Sequence, residues 1–144
     1  MASQAIPAYG TLLKIGDGMT PENFTTILHV QDITPPPLKQ ITDDATSHDS
    51  PGGWTEIKPT MLEGGDVKFG ILYVPSAATH NATTGLIADL HAKTLRNFQL
   101  IWPDGVATTW SFAGYVTGFA PKAPVKKNLT ADVTISISGE PTLA

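Results

Sequence analysis

The sequence predicts a mainly β domain: a β-sandwich or barrel of about seven short strands, with one flanking α-helix and a long loop. Three observations carry that expectation. Residues 129–137 alternate strictly, with Leu129, Ala131, Val133, Ile135 and Ile137 on one side and Thr130, Asp132, Thr134 and Ser136 on the other. A period of two is the mark of a strand with one buried face. Clusters of Gly, Pro and Asp at 16–18, 63–66 and 103–105 punctuate the other short apolar runs. Only one segment, 81–95, carries an apolar stripe at helical spacing, through Leu86, Ile87, Leu90 and Leu95.

In chain order, residues 9–15 read as a first strand that stops at Gly16-Asp17-Gly18. Residues 24–33 read as one strand with two partly apolar faces, which suits a wall contacted on both sides; His29 is expected half-buried on it. From 34 to 53 the character changes. Pro35-Pro36-Pro37 donates no backbone hydrogen bond, and a polar, acidic, turn-rich stretch with Asp43, Asp44 and Asp49 follows. The whole stretch reads as one long loop, a length that usually means function or disorder. Residues 54–62 read as a strand with Pro59 at an edge or bulge. Residues 67–74 place Val67, Phe69, Ile71 and Tyr73 on one face. The helix of 81–95 has Thr83 or Thr84 as a cap, and Lys93 and Arg96 where the dipole favours cations. Strands at 98–102 and 108–119 follow, the second giving Trp110, Phe112 and Tyr115 to the core. A basic connector at 121–128 leads to the alternating strand, and 139–144 forms a tail. No repeat is evident, so residues 1–144 read as a single domain.

Composition narrows the function. Of 144 residues, 41% are hydrophobic and only 15% charged, too few charges to keep a disordered chain solvated. Much of the surface must then be neutral, and a neutral surface is easier to bury against partner subunits. The net charge of −4 argues against tight binding through phosphate neutralisation. Cysteine is absent, so no disulfide or thiolate metal site is expected. The start lacks the basic and apolar pattern of a signal peptide. No apolar run approaches the ~20 residues of a membrane span. Asn23, Asn81 and Asn128 open glycosylation-like triplets, which a Thr-rich chain produces by chance.

Chemistry is sparse. Ser47-His48-Asp49 cannot act as a triad, because adjacent side chains do not converge on one hydrogen-bonded line. His29, His48, His80 and His91 form no zinc-like pair. Gly16-Asp17-Gly18 lacks the context of a dinucleotide site, and Asp43, Asp44 and Asp49 lack calcium-loop spacing. Trp54, Trp102 and Trp110 could line a sugar-binding face, but core packing explains at least two of them more simply. No catalytic, cofactor or metal residues are assigned, and no cofactor is expected.

Taken in order, several segments resemble the tail tube protein of lambda-like long-tailed bacteriophages. They are Gly10-Thr11-Leu12-Leu13-Lys14-Ile15-Gly16; Phe24-Thr25-Thr26-Ile27-Leu28-His29-Val30 leading to the Pro-rich stretch; and Val67-Lys68-Phe69 with Tyr73-Val74-Pro75 before the helix. Phe98-Gln99-Leu100 and Pro103-Asp104-Gly105 then precede Trp110-Ser111-Phe112, and the chain closes on the alternating strand with Ser138-Gly139-Glu140. The resemblance covers nearly the whole chain. It implies a non-enzymatic virion protein, assembled in the host cytoplasm into stacked hexameric rings whose β-barrel lines a lumen for DNA. It also implies partners: the tape measure protein, tail tip or baseplate proteins and a tail terminator, with no membrane. Some relatives carry an added immunoglobulin-like domain; none is expected here. If rings stack head to tail, Asp43, Asp44 and Asp49 of the loop and Lys122, Lys126 and Lys127 of the connector are candidate inter-ring contacts. The competing reading is a solitary β-sandwich module, for example for carbohydrate, which would stay monomeric and expose an aromatic platform.

Overall fold

A computed structural model describes residues 3–143. Met1, Ala2 and Ala144, the outermost residues of the predicted start and tail, lie outside the described residues. The strands are β1 (Leu12–Gly16), β2 (Phe24–Thr26), β3 (Val30–Thr34), β4 (Lys39–Asp44), β5 (Ile57–Glu63), β6 (Asp66–Leu72), β7 (Arg96–Ile101), β8 (Thr109–Lys122), β9 (Thr130–Ile137) and β10 (Thr142–Leu143). The helix α1 spans Leu86–Ala92. Eight strands form one antiparallel sheet in the order β2-β1-β7-β8-β9-β6-β3, with β10 added on β8; β4 and β5 form a separate two-stranded sheet.

One topological fact dictates the shape. The large sheet begins with β2 and ends with β3, yet only Ile27, Leu28 and His29 separate those strands in sequence. Four Cα steps reach about 14 Å at most. The outer strands of a flat sheet on this path would stand roughly 29 Å apart at ~4.8 Å per step. The sheet must therefore curl until its edges nearly meet, and its concave face becomes the core. Alternating side chains fill it: Val67, Phe69 and Ile71 from β6, Phe98 and Leu100 from β7, Phe112 and Val116 from β8, and Ala131, Val133 and Ile135 from β9. Phe98 and Phe112 are directly paired across strands and stack with centroids 5.7 Å apart. Thr117 is an extra residue in β8 against β9, and such a bulge increases the local bend.

The mainly β architecture with one helix is as the sequence predicts. The strand count is higher for stated reasons. The expected single strand at 24–33 is two strands, because His29 adopts φ 55° and turns the chain at the seam. His29 is exposed there, not half-buried on a strand. The expected loop at 34–53 contains β4, whose partner β5 supplies a ladder from Lys39↔Glu63 to Asp44↔Ile57. The tail forms β10. Pro59 sits beside a bulge at Thr60, as expected for a residue with no N–H to donate. The helix is shorter than 81–95. Asn81, not Thr83 or Thr84, organises its entry: Asn81 Oδ1 accepts hydrogen bonds from the N–H of Thr83, Thr84 and Gly85 at 3.0, 2.7 and 3.1 Å. Gly85 is the N-cap because a Cβ there would lie 2.5 Å from Asn81 N and 2.6 Å from His80 C. Lys93 closes the helix in the left-handed conformation, whereas Arg96 belongs to β7. Leu95 and Tyr115, expected in the core, are substantially exposed.

Two buried polar groups lock the seam and the helix. His80 is fully buried. Its Nε2–H donates to Leu28 O at 2.7 Å, and its Nδ1 accepts from Val74 N at 3.1 Å, which fixes the neutral tautomer. Burial depresses its pKa; the Leu28 carbonyl opposes this in part, and the neighbouring His29 adds to the depression. Asp89, 3% exposed on α1, pairs with Arg96 Nε at 3.0 Å, and Arg96 also donates to Asp17 O at 3.1 Å. One guanidinium therefore ties α1, β7 and the β1–β2 turn together.

Both contacts give measurable expectations. Above pH about 6.5, the ordinary histidine value, His80 is neutral folded and unfolded, and its contribution is complete. Below that, the unfolded chain takes up a proton that the folded site refuses, so stability falls until the lowered folded pKa is reached. Urea unfolding between pH 8 and 5 should show this decline, and His80→Gln should flatten it. Arg96→Gln leaves Asp89 buried without a cation and should cost about 2–4 kcal/mol of subunit stability.

Candidate assembly interface

The β4–β5 hairpin is the part of the molecule that the core does not explain. Its strands pair because Gln40-Ile41-Thr42 and the Ile57 and Met61 regions are β-favouring and register-matched. Yet every residue of both strands is exposed. A two-stranded hairpin is at best marginally stable alone in water. Cross-strand pairing assigns Ile41 and Met61 to one face, and Leu62, Pro59 and Ile57 to the other. Met61 is 69% and Leu62 79% exposed. Both faces therefore present apolar surface that this chain does not cover.

The outer end of the hairpin is ordered by its own polar groups. Ala45 N donates to Glu56 O at 2.8 Å, Glu56 N to Thr46 Oγ1 at 2.8 Å, and Thr46 N to Asp44 Oδ1 at 2.8 Å. The Thr46 hydroxyl and N–H hold the Asp44 carboxyl below the usual carboxylate range, so Asp44 is ionised at neutral pH. Ser47 N donates to Ser50 Oγ at 2.9 Å, with Ser50 buried in the turn ahead of Pro51–Gly53. His48 and Asp49 lie exposed in that turn. Trp54 stands at the same end, 78% exposed.

The structure separates the predicted contact residues into two groups. Asp43, Asp44 and Asp49 are exposed along the hairpin and its outer end. Asp43 and Asp44 alternate to opposite faces, and Asp43 lies directly across from Lys58. Lys122, at the end of β8, pairs with Asp132 Oδ2 at 3.0 Å within the subunit. Lys126 and Lys127 lie in the exposed connector and make no ion pair among the described residues. No ion pair joins the hairpin acids to the connector lysines within one subunit, among the described residues. Sequence reasoning missed His80 and the Asp89–Arg96 pair. The sequence signal for the pair was an acid on the expected helix and, seven residues later, a base just past its end.

The tryptophans form no flat platform. Trp102 and Trp110 meet edge to face, with centroids 5.2 Å apart and planes at 83°. Trp54 has no aromatic partner among the described residues. No group of three or more His, Asp or Glu side chains that could hold a metal occurs among the described residues. No described helix is long and apolar enough to cross a membrane.

The family model of the lambda phage tail tube protein, TTP, matches residues 9–144. The chain belongs to that family. Solved structures of the same fold extend the likeness beyond sequence. A tail chain of an empty gene transfer agent particle, from helical refinement with C6 symmetry, aligns with a TM-score of 0.76 at 18% identity, over 97% of this chain and 99% of that one. A chain of an extracellular contractile injection system, in its sheath/tube terminator structure in the extended state, aligns at 0.73 with 10% identity, over 100% and 99%. A chain of the anti-feeding prophage baseplate, symmetrised sixfold, aligns at 0.68 with 8% identity, over 100% and 97%. No curated protein matches the chain. The likeness of this tail tube family member to those structures runs over nearly the whole of each chain.

Because the hairpin faces rest on no core, polar substitution there should spare the subunit. Met61→Ser and Leu62→Ser should change its unfolding free energy by about 0.5 kcal/mol or less. The same change at Phe112, which is 4% exposed, should cost about 3–5 kcal/mol. Denaturant titration of monomeric protein distinguishes the two.

Proposed function

We propose that the chain is the repeating subunit of a tail tube: it assembles into hexameric rings, and the rings stack into a conduit for DNA ejected into the host. Membership of the tail tube family places the protein in the virion tail as a structural component. One observation from the structure carries the assembly step. A hairpin of thirteen strand residues, six in β4 and seven in β5, is exposed throughout and carries uncovered apolar side chains on both faces. Neighbouring copies would supply the cover it lacks. The C6 symmetry recorded for the similar gene transfer agent tail supports a ring of six. The contractile-system terminator and baseplate structures support terminator and baseplate proteins as partners; a tape measure protein is a further expected partner. The protein acts without catalysis or cofactor, through contacts alone. Its net charge of −4 suits a lumen in which DNA slides, because each neutralised phosphate would add affinity and retard passage.

Electron microscopy of concentrated protein, alone and with tail-tip proteins, tests the reading. Rings about one subunit thick and stacked tubes are expected; a species that stays monomeric under every one of those conditions contradicts it. Replacing 39–63 with a short Gly-Ser linker should leave the β signature of the eight-stranded sheet intact, because β4 and β5 share no ladder with it. The same replacement should abolish tubes.

A further inference from the structure

Between the connector and the ends of β3 and β6 lies an open groove of about 590 Å³. Gln31 and Leu72 line one wall, and Val125, Lys126, Lys127 and Asn128 the other. Its chemistry is unusual for this chain. Lys126 and Lys127 carry charge with no acidic partner among the described residues, and residues 121–129 contain no acid at all. Val125, next to them in the lining, is fully exposed. Leu72 contributes an apolar surface beneath. The groove thus asks for an occupant that is acidic and carries an apolar group.

The outer end of the β4–β5 hairpin has that composition. Residues 40–57 contain Asp43, Asp44, Asp49 and Glu56 and neither lysine nor arginine. Asp43 is faced by Lys58, which leaves Asp44, Asp49 and Glu56 as the uncompensated acids. Trp54 stands among them, and large aromatic side chains flanked by polar groups are the usual anchors of protein interfaces. The hairpin end carries its own hydrogen bonds, Ala45 N to Glu56 O and Ser47 N to Ser50 Oγ, which gather Trp54 and these acids at one end of the hairpin. The charges of the two surfaces are complementary, and within one subunit no ion pair joins them among the described residues.

We propose that the hairpin end of one copy seats in the connector groove of a second copy, with Trp54 against Val125 and Leu72, and with Asp44, Asp49 and Glu56 facing Lys126 and Lys127. The contact is heterologous, so each copy both gives a hairpin and receives one, and the arrangement propagates from copy to copy. The inference rests on the self-assembly reading and names the two surfaces that meet. Lys122 takes no part, because Asp132 already holds it.

The absence of cysteine allows an unambiguous test. Thr55→Cys in one chain and Asn128→Cys in another place thiols beside the two surfaces while keeping Trp54, Val125, Lys126 and Lys127. Co-assembled and oxidised, the mixture should give a disulfide-linked dimer, and the double variant in one chain should give a ladder of covalent oligomers. Neither single variant alone should do so. Lys126→Glu with Lys127→Glu should slow assembly about tenfold at low salt, and adding Asp44→Lys with Glu56→Lys should restore most of the rate. Normal tubes under the microscope with no cross-link above the single-variant level overturn the docking and leave the tube reading standing. A charge reversal that changes binding of the protein to DNA but leaves the assembly rate untouched also overturns it, by assigning the lysines to phosphate. Failure of the wild-type chain to form rings or tubes with tail-tip proteins overturns the assembly reading, and the docking with it.

Discussion

The structure depends on the short seam between the two outer strands of its sheet. Ile27, Leu28 and His29 connect β2 to β3, which lie at opposite ends of the strand order, so the chain has no flat solution. Curling brings the inward faces of β6, β7, β8 and β9 around a common interior and buries Ile27 at the closure. Backbone groups at such a closure risk being buried without partners, which is costly. His80 meets that need by bonding Leu28 O with one ring nitrogen and Val74 N with the other, and Thr79 Oγ1 accepts from Leu28 N at 3.3 Å. The turn before α1 is thus the clasp of the barrel, and Gly85 lets that turn pass close to its own backbone.

A body closed in this way has a complete interior and no need of the hairpin. The division of labour between the two sheets follows. The eight-stranded sheet holds its fold with aromatic and β-branched side chains; the two-stranded sheet holds only its own backbone ladder and leaves its side chains outward. Lys39 faces Glu63 and Asp43 faces Lys58 across its ladder, and such opposite-charge pairing lowers the cost of dehydrating the surface against another copy. In the proposed assembly, single-chain folding and multi-copy contact draw on different residues, so mutations should separate them.

The sequence made the alternating strands legible wherever one face is buried. Residues 129–137, and the expected strand 67–74 as far as Leu72, match strands because their period of two is set by the core. It failed where no core imposes a pattern. Lys39–Asp44 is exposed on both faces, so polar residues occupy positions that alternation would otherwise mark, and the segment read as loop. Residues 24–33 read as one strand because the alternation continues across the seam, and nothing in the residue types announces the positive φ of His29. The helix was overextended because Asn81-Ala82-Thr83-Thr84 suits a capped turn as well as a first helical turn. At the candidate interface, charge composition alone marked the acidic and basic segments. It could not show that Asp43 and Asp44 face opposite ways, that Lys122 is held by Asp132, or that Trp54 is exposed beside them.

In the proposed assembly, the subunit completes its own core and leaves the hairpin to be covered by neighbours. Amide hydrogen exchange, resolved by segment and compared between monomeric subunit and assembled tube, measures this directly. The amides of β6, β8 and β9 should be strongly protected in both states. Those of Lys39–Asp44 and Ile57–Glu63 should exchange near the unprotected rate in the monomer and become protected on assembly. Hairpin amides protected in the monomer as strongly as those of β9, with no further change in the tube, would contradict the account.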